Sequence, residues 1–231
     1  MPMLRGAGPL ADDFHLMSHD SVSGEPWLTG RVAGLGLAGA LLGELAVDHR
    51  IDLSGGTVVV VDRRPPRDAL TGRMLGMLQS ERHPMRDWLA FFGRTAAEDV
   101  ATRLAHLGVL TRRTSRRPWR DSRWVPIHPN SAALPAATLC TRLIRGEPLG
   151  EHNAILAGLT TATGLDQRVF WEVRTVSASA RHDVGAAVDG LDPFLRTLIS
   201  HIEVRWAASS PATAREPTTR VRDRPHLTLP T

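Results

Sequence analysis

Lysine and tyrosine are absent from this chain of 231 residues, and cysteine occurs once. Without lysine, all 28 basic residues are arginine, which points to a GC-rich, bacterial coding bias more than to a function. The single cysteine, Cys140, excludes an intrachain disulfide, a pattern that fits the cytoplasm. It lies in an apolar helical stretch with no base at a telling spacing, so it reads as a structural thiol and not a nucleophile. Catalytic signatures are also missing. No Gly-x-Ser-x-Gly elbow and no H-E-x-x-H occurs. His49, His83, His106 and His128 are far apart, and the adjacent pairs His19-Asp20 and His182-Asp183 face different ways on any regular element. No catalytic apparatus, metal site or cofactor is expected. The N-terminal MPMLRGAGPLADDFHLM has no apolar h-region and no cleavage site, and the longest apolar stretch falls short of the ~20 residues of a confident bilayer span. Neither a signal peptide nor a transmembrane helix is expected.

What is present is ordinary for a soluble globular protein: 42% hydrophobic and 23% charged residues, enough chain for one large domain or two small ones. The net charge is +4 and the isoelectric point about 10.9. That balance favours an anionic partner, either nucleic acid or an acidic membrane surface.

The chain is organised around RVAGLGLAGALLGELAVDHR, Arg31 to Arg50. Between Val32 and Val47 the only charge is Glu44, and Leu35, Leu42 and Leu45 fall at helical spacing on a segment apolar nearly all round. Such a helix is buried on most sides. Gly34, Gly36, Gly39 and Gly43 each weaken it by about 1 kcal/mol relative to Ala, which implies that other chain segments come close. The same stretch spells a G-x-G-x-x-G (Gly34, Gly36, Gly39), with Asp62 after the strand-like Thr57 to Val61 in the place of a ribose ligand. A dinucleotide site would need a strand just before Gly34, and Pro26 to Arg31 offers no β-branched run. A buried structural helix is the preferred reading, and a nucleotide-dependent oxidoreductase the alternative.

The remaining pattern predicts a mainly α fold: a single helical domain around the central hydrophobic helix, with one or two β-hairpins. Helices are expected over Leu10–Met17, Asp68–Ser80, Met85–Phe92, Ala96–Leu107, Ala133–Ile144, Glu151–Thr163, Arg168–Ser179 and Pro193–Trp206. A hairpin is expected over Arg50–Asp62 around Ser54-Gly55-Gly56. Residues 1–9 read as an extension, 10–206 as the domain, and 207–231 as a disordered tail.

A second hairpin, RRTSRRPWRDSRWVPIHP, spans residues 112 to 129. Arg112, Arg113, Arg116, Arg117, Arg120 and Arg123 flank Trp119 and Trp124, with Asp121 the lone acid. Indole prefers the headgroup zone of a bilayer, and each basic residue near an anionic surface adds about 1 kcal/mol. The same pattern suits the wing of a winged-helix DNA binder, whose preceding helix would offer Thr102, Arg103 and His106 to the major groove. A solvated hairpin with its tryptophans packed on the domain is the third reading.

In order and spacing, these segments resemble the shorter bacterial members of the Golgi phosphoprotein 3 family. The resemblance runs from about Leu10 to Trp206. It is carried by LADDFHLM with Asp20 and Gly24, by LAGALLGELA with Arg50-Ile51, and by the hairpin into Val58–Asp62. It continues in Arg86-Asp87-Trp88-Leu89, in Val100 to Leu104 with Gly108-Val109-Leu110, and in Asn153 to Leu159. The resemblance implies a helical domain that attaches peripherally to membranes, lying in the cytoplasm at the membrane surface. Eukaryotic members bind phosphatidylinositol 4-phosphate and act as adaptors for glycosyltransferases, so anionic phospholipid, phosphoinositide and membrane-protein clients are the implied partners. A bacterium has no Golgi, so that role is not carried over. The family's headgroup pocket uses a Trp and an Arg near the start of the central helix and two Arg on the helix ending in Gly-Val-Leu. Here Trp27 lies two residues from the aromatic position, which Thr29 fills. Ala38 replaces the central-helix Arg, with Arg31 one to two turns earlier. Arg94 matches the first later Arg, and Ala97 replaces the second. The implied headgroup residues are therefore Trp27, Arg31 and Arg94, beside a membrane-contacting hairpin.

Overall fold

The computed structural model describes residues 8–113, 122–171, 173 and 180–209, the last six by backbone alone. Its elements are α1 (Leu10–Met17), α2 (Gly30–Val47), β1 (Ile51–Ser54), β2 (Thr57–Val60), α3 (Ala69–Ser80), α4 (Met85–Phe92), α5 (Ala96–His106), β3 (Leu110–Arg113), β4 (Arg123–Pro126), α6 (Pro129–Ile144), α7 (Glu151–Ala162), α8 (Asp166–Val169), α9 (Ala180–Asp189) and α10 (Pro193–Ser209). The fold is mainly α with two separate antiparallel hairpins, as the sequence predicts.

The expected central helix is α2. By length and composition it could cross a membrane, being 18 residues with mean hydropathy 1.4, but 72% of it is buried inside the protein. Leu37, Ala38, Ala40 and Leu42 have no exposure at all. Its glycine face is what lets neighbours approach. Side chains added at Gly36, Gly39 and Gly43 would meet Phe14, Leu159 and Ile202, and Leu10, Leu195 and Ile155. That ordering makes α1, α7 and α10 run antiparallel to α2. Side chains from every described helix reach one hydrophobic core, the short α8 through the half-buried Val169. At about 1.5 Å per residue, α2 sets two ends of the molecule roughly 27 Å apart.

The first hairpin pairs Ser54 with Thr57, so Gly55-Gly56 alone is the loop. Differences from the sequence reading lie late in the chain. Helix α6 starts at Pro129, four residues before the expected Ala133, because proline fits the first helical turn where no N–H is needed. Of the expected helix 168–179, residues 172 and 174–179 lie outside the described residues. Helix α9 was not expected; only Ala180 and Val184 of its side chains are buried, too sparse a stripe for a periodic signal. Helix α10 runs to Ser209, past the boundary expected at 206.

Candidate functional site

The end of the molecule at the N-terminus of α2 gathers most of the described candidate residues. Trp27 sits on the loop from α1 to α2. Asp20 orders this loop by accepting the N–H groups of Val22 and Ser23 at 3.1 and 2.7 Å and the Ser23 hydroxyl at 2.9 Å. The loop closes where the Trp27 N–H donates to the Ser18 carbonyl at 3.0 Å, and where His19 bridges Pro26. Trp27 is half-buried and packs against the core. Thr29 begins α2 without capping it through its side chain, which leaves the positive end of the helix dipole to the surroundings.

Gly34 and Gly93 bring the second element in. A side-chain carbon on Gly34 would collide with the Gly93 carbonyl oxygen, so the turn after α4 lies directly on the first turns of α2. Arg94 follows in that turn and is exposed, as is Arg31, one helical turn before Gly34. The match of Arg94 to a helical arginine needs correcting: it sits between α4 and α5 and not on a helix, because Gly93 ends α4. Ala38 is fully buried and Ala97 half-buried.

The β3–β4 hairpin packs against the same end. Its register pairs Arg112 with Trp124 and Arg113 with Arg123. The Trp124 indole N–H donates to Glu98 in the first turn of α5 at 3.1 Å, and the Arg112 guanidinium lies 5.6 Å from the Trp124 ring centre. Arg123 pairs with Glu25 of the Trp27 loop at 3.3 Å. Gly24, at φ 69°, touches the Trp124 backbone so closely that any side chain would collide with its carbonyl. Arg116, Arg117, Trp119 and Arg120, the other residues expected at this hairpin, lie outside the described residues.

One residue of this end was not foreseen. Arg168 of α8 places its guanidinium 4.7 Å from the centre of the Trp27 ring. The described end thus carries Arg31, Arg94, Arg112, Arg113, Arg123 and Arg168 against the acids Asp20, Glu25, Glu98 and Asp166, a net positive surface.

Two alternatives fail on geometry. Gly34, Gly36 and Gly39 lie inside α2, so no phosphate loop leaves a sheet there. Asp62 is tied to Arg50 and Arg64, and hydrogen bonds from Arg64 hold its carboxyl down to about 2. The winged-helix reading loses its main reader, because Arg103 points inward. It bonds Asp12 at 2.8 Å, Asp68 at 3.0 Å and Glu44 at 3.2 Å, with 9% of its side chain exposed. Burial works against that charge, yet Glu44 and Asp12 outweigh it and raise the Arg103 pKa. Burial pushes Asp12 and Glu44 above their ordinary values, with Arg103 pulling the other way.

The histidine reading also missed a pair. His15 and His19 form an H-x-x-x-H on α1 and its cap, visible in the sequence, and their rings stack at 4.2 Å. Burial lowers both pKa values. Among the described residues no group of three or more metal-ligating side chains assembles. At the opposite end of α2, a cleft of about 560 Å³ is lined by Leu45, Asp48, Arg67, Asp68 and Glu151 among others, and by none of the expected site residues.

A family model described as Golgi phosphoprotein 3 (GPP34) matches residues 10–202. No curated protein matches the chain.

Proposed function

The chain belongs to the Golgi phosphoprotein 3 family, and on that premise we propose that residues 10–206 form a non-catalytic adaptor attached peripherally to the cytoplasmic face of an anionic membrane. Its ligand is a phosphoinositide-type headgroup, met by Trp27, Arg31 and Arg94 at the N-terminal end of α2. The β3–β4 hairpin, with Arg112, Arg113, Arg116, Arg117, Trp119, Arg120, Arg123 and Trp124, contacts the bilayer beside it. The observation that carries this reading is the convergence of exposed arginines and a fixed tryptophan on the uncapped positive end of a buried helix. Arginine offers phosphate a planar fork of donors, and the dipole adds to it. Arginines near an anionic surface contribute roughly 1 kcal/mol each, enough together for reversible attachment without a spanning helix. Membrane-protein clients would meet the faces left free.

Co-sedimentation with vesicles tests this: neutral lipid, generic anionic lipid, and charge-matched lipid carrying phosphatidylinositol 4-phosphate. Binding should rise from the first to the third and lose the last increment in Arg94→Ala. Equal binding to both anionic vesicles would reduce the function to nonspecific attachment. Absence of binding to all three would end the membrane reading.

A further inference from the structure

Arg168 and Trp27 are brought together from opposite halves of the chain. The Trp27 main chain is held in its loop by the bond from its backbone N–H to the Ser18 carbonyl, and its half-buried ring packs against the core. Arg168 reaches it from α8, just past the end of α7, where Thr163 packs against Gly36 of α2. The guanidinium sits 4.7 Å from the indole centre, a cation–π contact on an exposed arginine. Nearby Asp20 feels the Arg168 charge, while its Oδ1 accepts from Val22 and Ser23. Among the described residues the Arg168 side chain donates no hydrogen bond. Its face rests on a ring, and among the described residues its N–H edge meets no acceptor.

An arginine in this state is a pre-ordered anion receptor. Stacking costs it little of its donor capacity, because the five N–H groups lie in the guanidinium plane. Ordering by the indole also removes part of the entropy a free arginine would lose on binding. The pair stands at the end of α2 that carries Arg31 and Arg94, where the alanines Ala38 and Ala97 supply no further cation.

We propose that Arg168, oriented by Trp27, is a phosphate-binding residue of this site, its guanidinium edge taking two oxygens of a tetrahedral phosphate group. This rests on the headgroup reading above and adds to it a second residue, beside Arg94, that contributes to preference for a phosphomonoester over diffuse negative charge. The same chemistry could be met by a lipid headgroup or by free phosphate, and the arms of the test separate these sources.

The experiment compares wild type, Arg168→Ala, Arg168→Lys and Arg94→Ala. Each is bound to vesicles of neutral lipid, of phosphatidylserine, and of charge-matched phosphatidylinositol 4-phosphate, and titrated calorimetrically with inorganic phosphate. The expected result is an about tenfold loss of preference for the phosphoinositide over phosphatidylserine in Arg168→Ala, the size of one charge-assisted bidentate contact. Arg168→Lys should keep phosphatidylserine binding and recover only part of the preference, since a point charge neither stacks nor forks. Unchanged melting temperatures would exclude a folding defect as the cause. Phosphate heat abolished by Arg168→Ala would support the site with a free anion as its ligand, and vesicle preference without phosphate heat would support it with a lipid. If Arg168→Ala keeps the full preference while Arg94→Ala loses it, the headgroup reading stands and the role of Arg168 is overturned. If wild type itself shows no preference and no phosphate heat, the headgroup reading falls and takes this role with it.

Discussion

Arg103 donates to Asp12 at 2.8 Å, a bond that ties α5 to the first turn of α1 across 91 residues of sequence. The same guanidinium holds Glu44 of α2 and Asp68 at the start of α3, so four elements meet on one cation. Replacing it leaves three carboxylates, two of them largely buried, without their shared partner. Arg103→Met should cost about 3–5 kcal/mol of stability at neutral pH, the scale of breaking a buried ion pair from one side. Urea denaturation measures this. Burial raises the Asp12 and Glu44 pKa values. In the variant the folded state holds their protons more tightly than the unfolded chain, so the penalty is full at high pH and fades as pH falls toward the unfolded carboxylate values. A deficit that does not shrink on acidification would contradict this role.

Gly34→Ala tests the backbone contact that seats Arg94. Alanine is the better helix former by about 1 kcal/mol, so an isolated α2 would gain from the change. In the protein its methyl group would meet the Gly93 carbonyl oxygen. The expected outcome is a net loss of about 1–3 kcal/mol, as for other overpacked sites, read from thermal or urea melts. A stabilised Gly34→Ala would mean that α2 and the α4–α5 turn are not in contact.

The His15–His19 stack makes stability fall in mild acid. Burial lowers both pKa values. The His19 charge lowers His15 further, and the bond to the His15 carbonyl partly opposes the shift at His19. A histidine whose folded pKa lies below its unfolded value binds protons more readily when unfolded. Its stabilising contribution is present above about pH 6.5 and is lost as pH falls from there toward the folded value. Melting temperature should therefore drop as pH falls below about 6.5. The drop should be smaller in His19→Gln, which removes one of the two titrating rings. Identical pH profiles would rule the pair out as its source.

Much of this architecture could be read from the sequence because it depends on local composition. A segment with one charge between Val32 and Val47 has to be buried, and Gly55-Gly56 between β-formers has to turn. The features that escaped are long-range. Arg103 sits on a helix whose flanking residues Thr102 and His106 look solvent-facing, and its three partners come from three other elements. Nothing periodic marks it as buried. Arg168 likewise gives no local sign that its neighbour is Trp27. The described candidates Trp27, Arg31, Arg94, Arg112, Arg113, Arg123 and Trp124 have no sequence signal linking them, and the contacts of α2 at Gly93 and of Glu25 with Arg123 place them at one end. The His15–His19 pair is legible in the sequence as an H-x-x-x-H, and a reading that finds no such spacing among the histidines is wrong at this point.

The central claim is directional: the N-terminal end of α2 faces the membrane and the cleft at its C-terminal end faces away. Single-cysteine labelling tests it most directly, with an environment-sensitive probe at Val22→Cys or Arg67→Cys in a Cys140→Ser background. Val22 is 67% exposed on the Trp27 loop, and Arg67 lines the opposite cleft. Adding phosphoinositide vesicles should shift the Val22→Cys probe toward an apolar signal and shield it from aqueous quenchers, leaving the Arg67→Cys probe unchanged. A shift confined to Arg67→Cys, or none at either position under conditions where the protein sediments with the vesicles, would contradict the account.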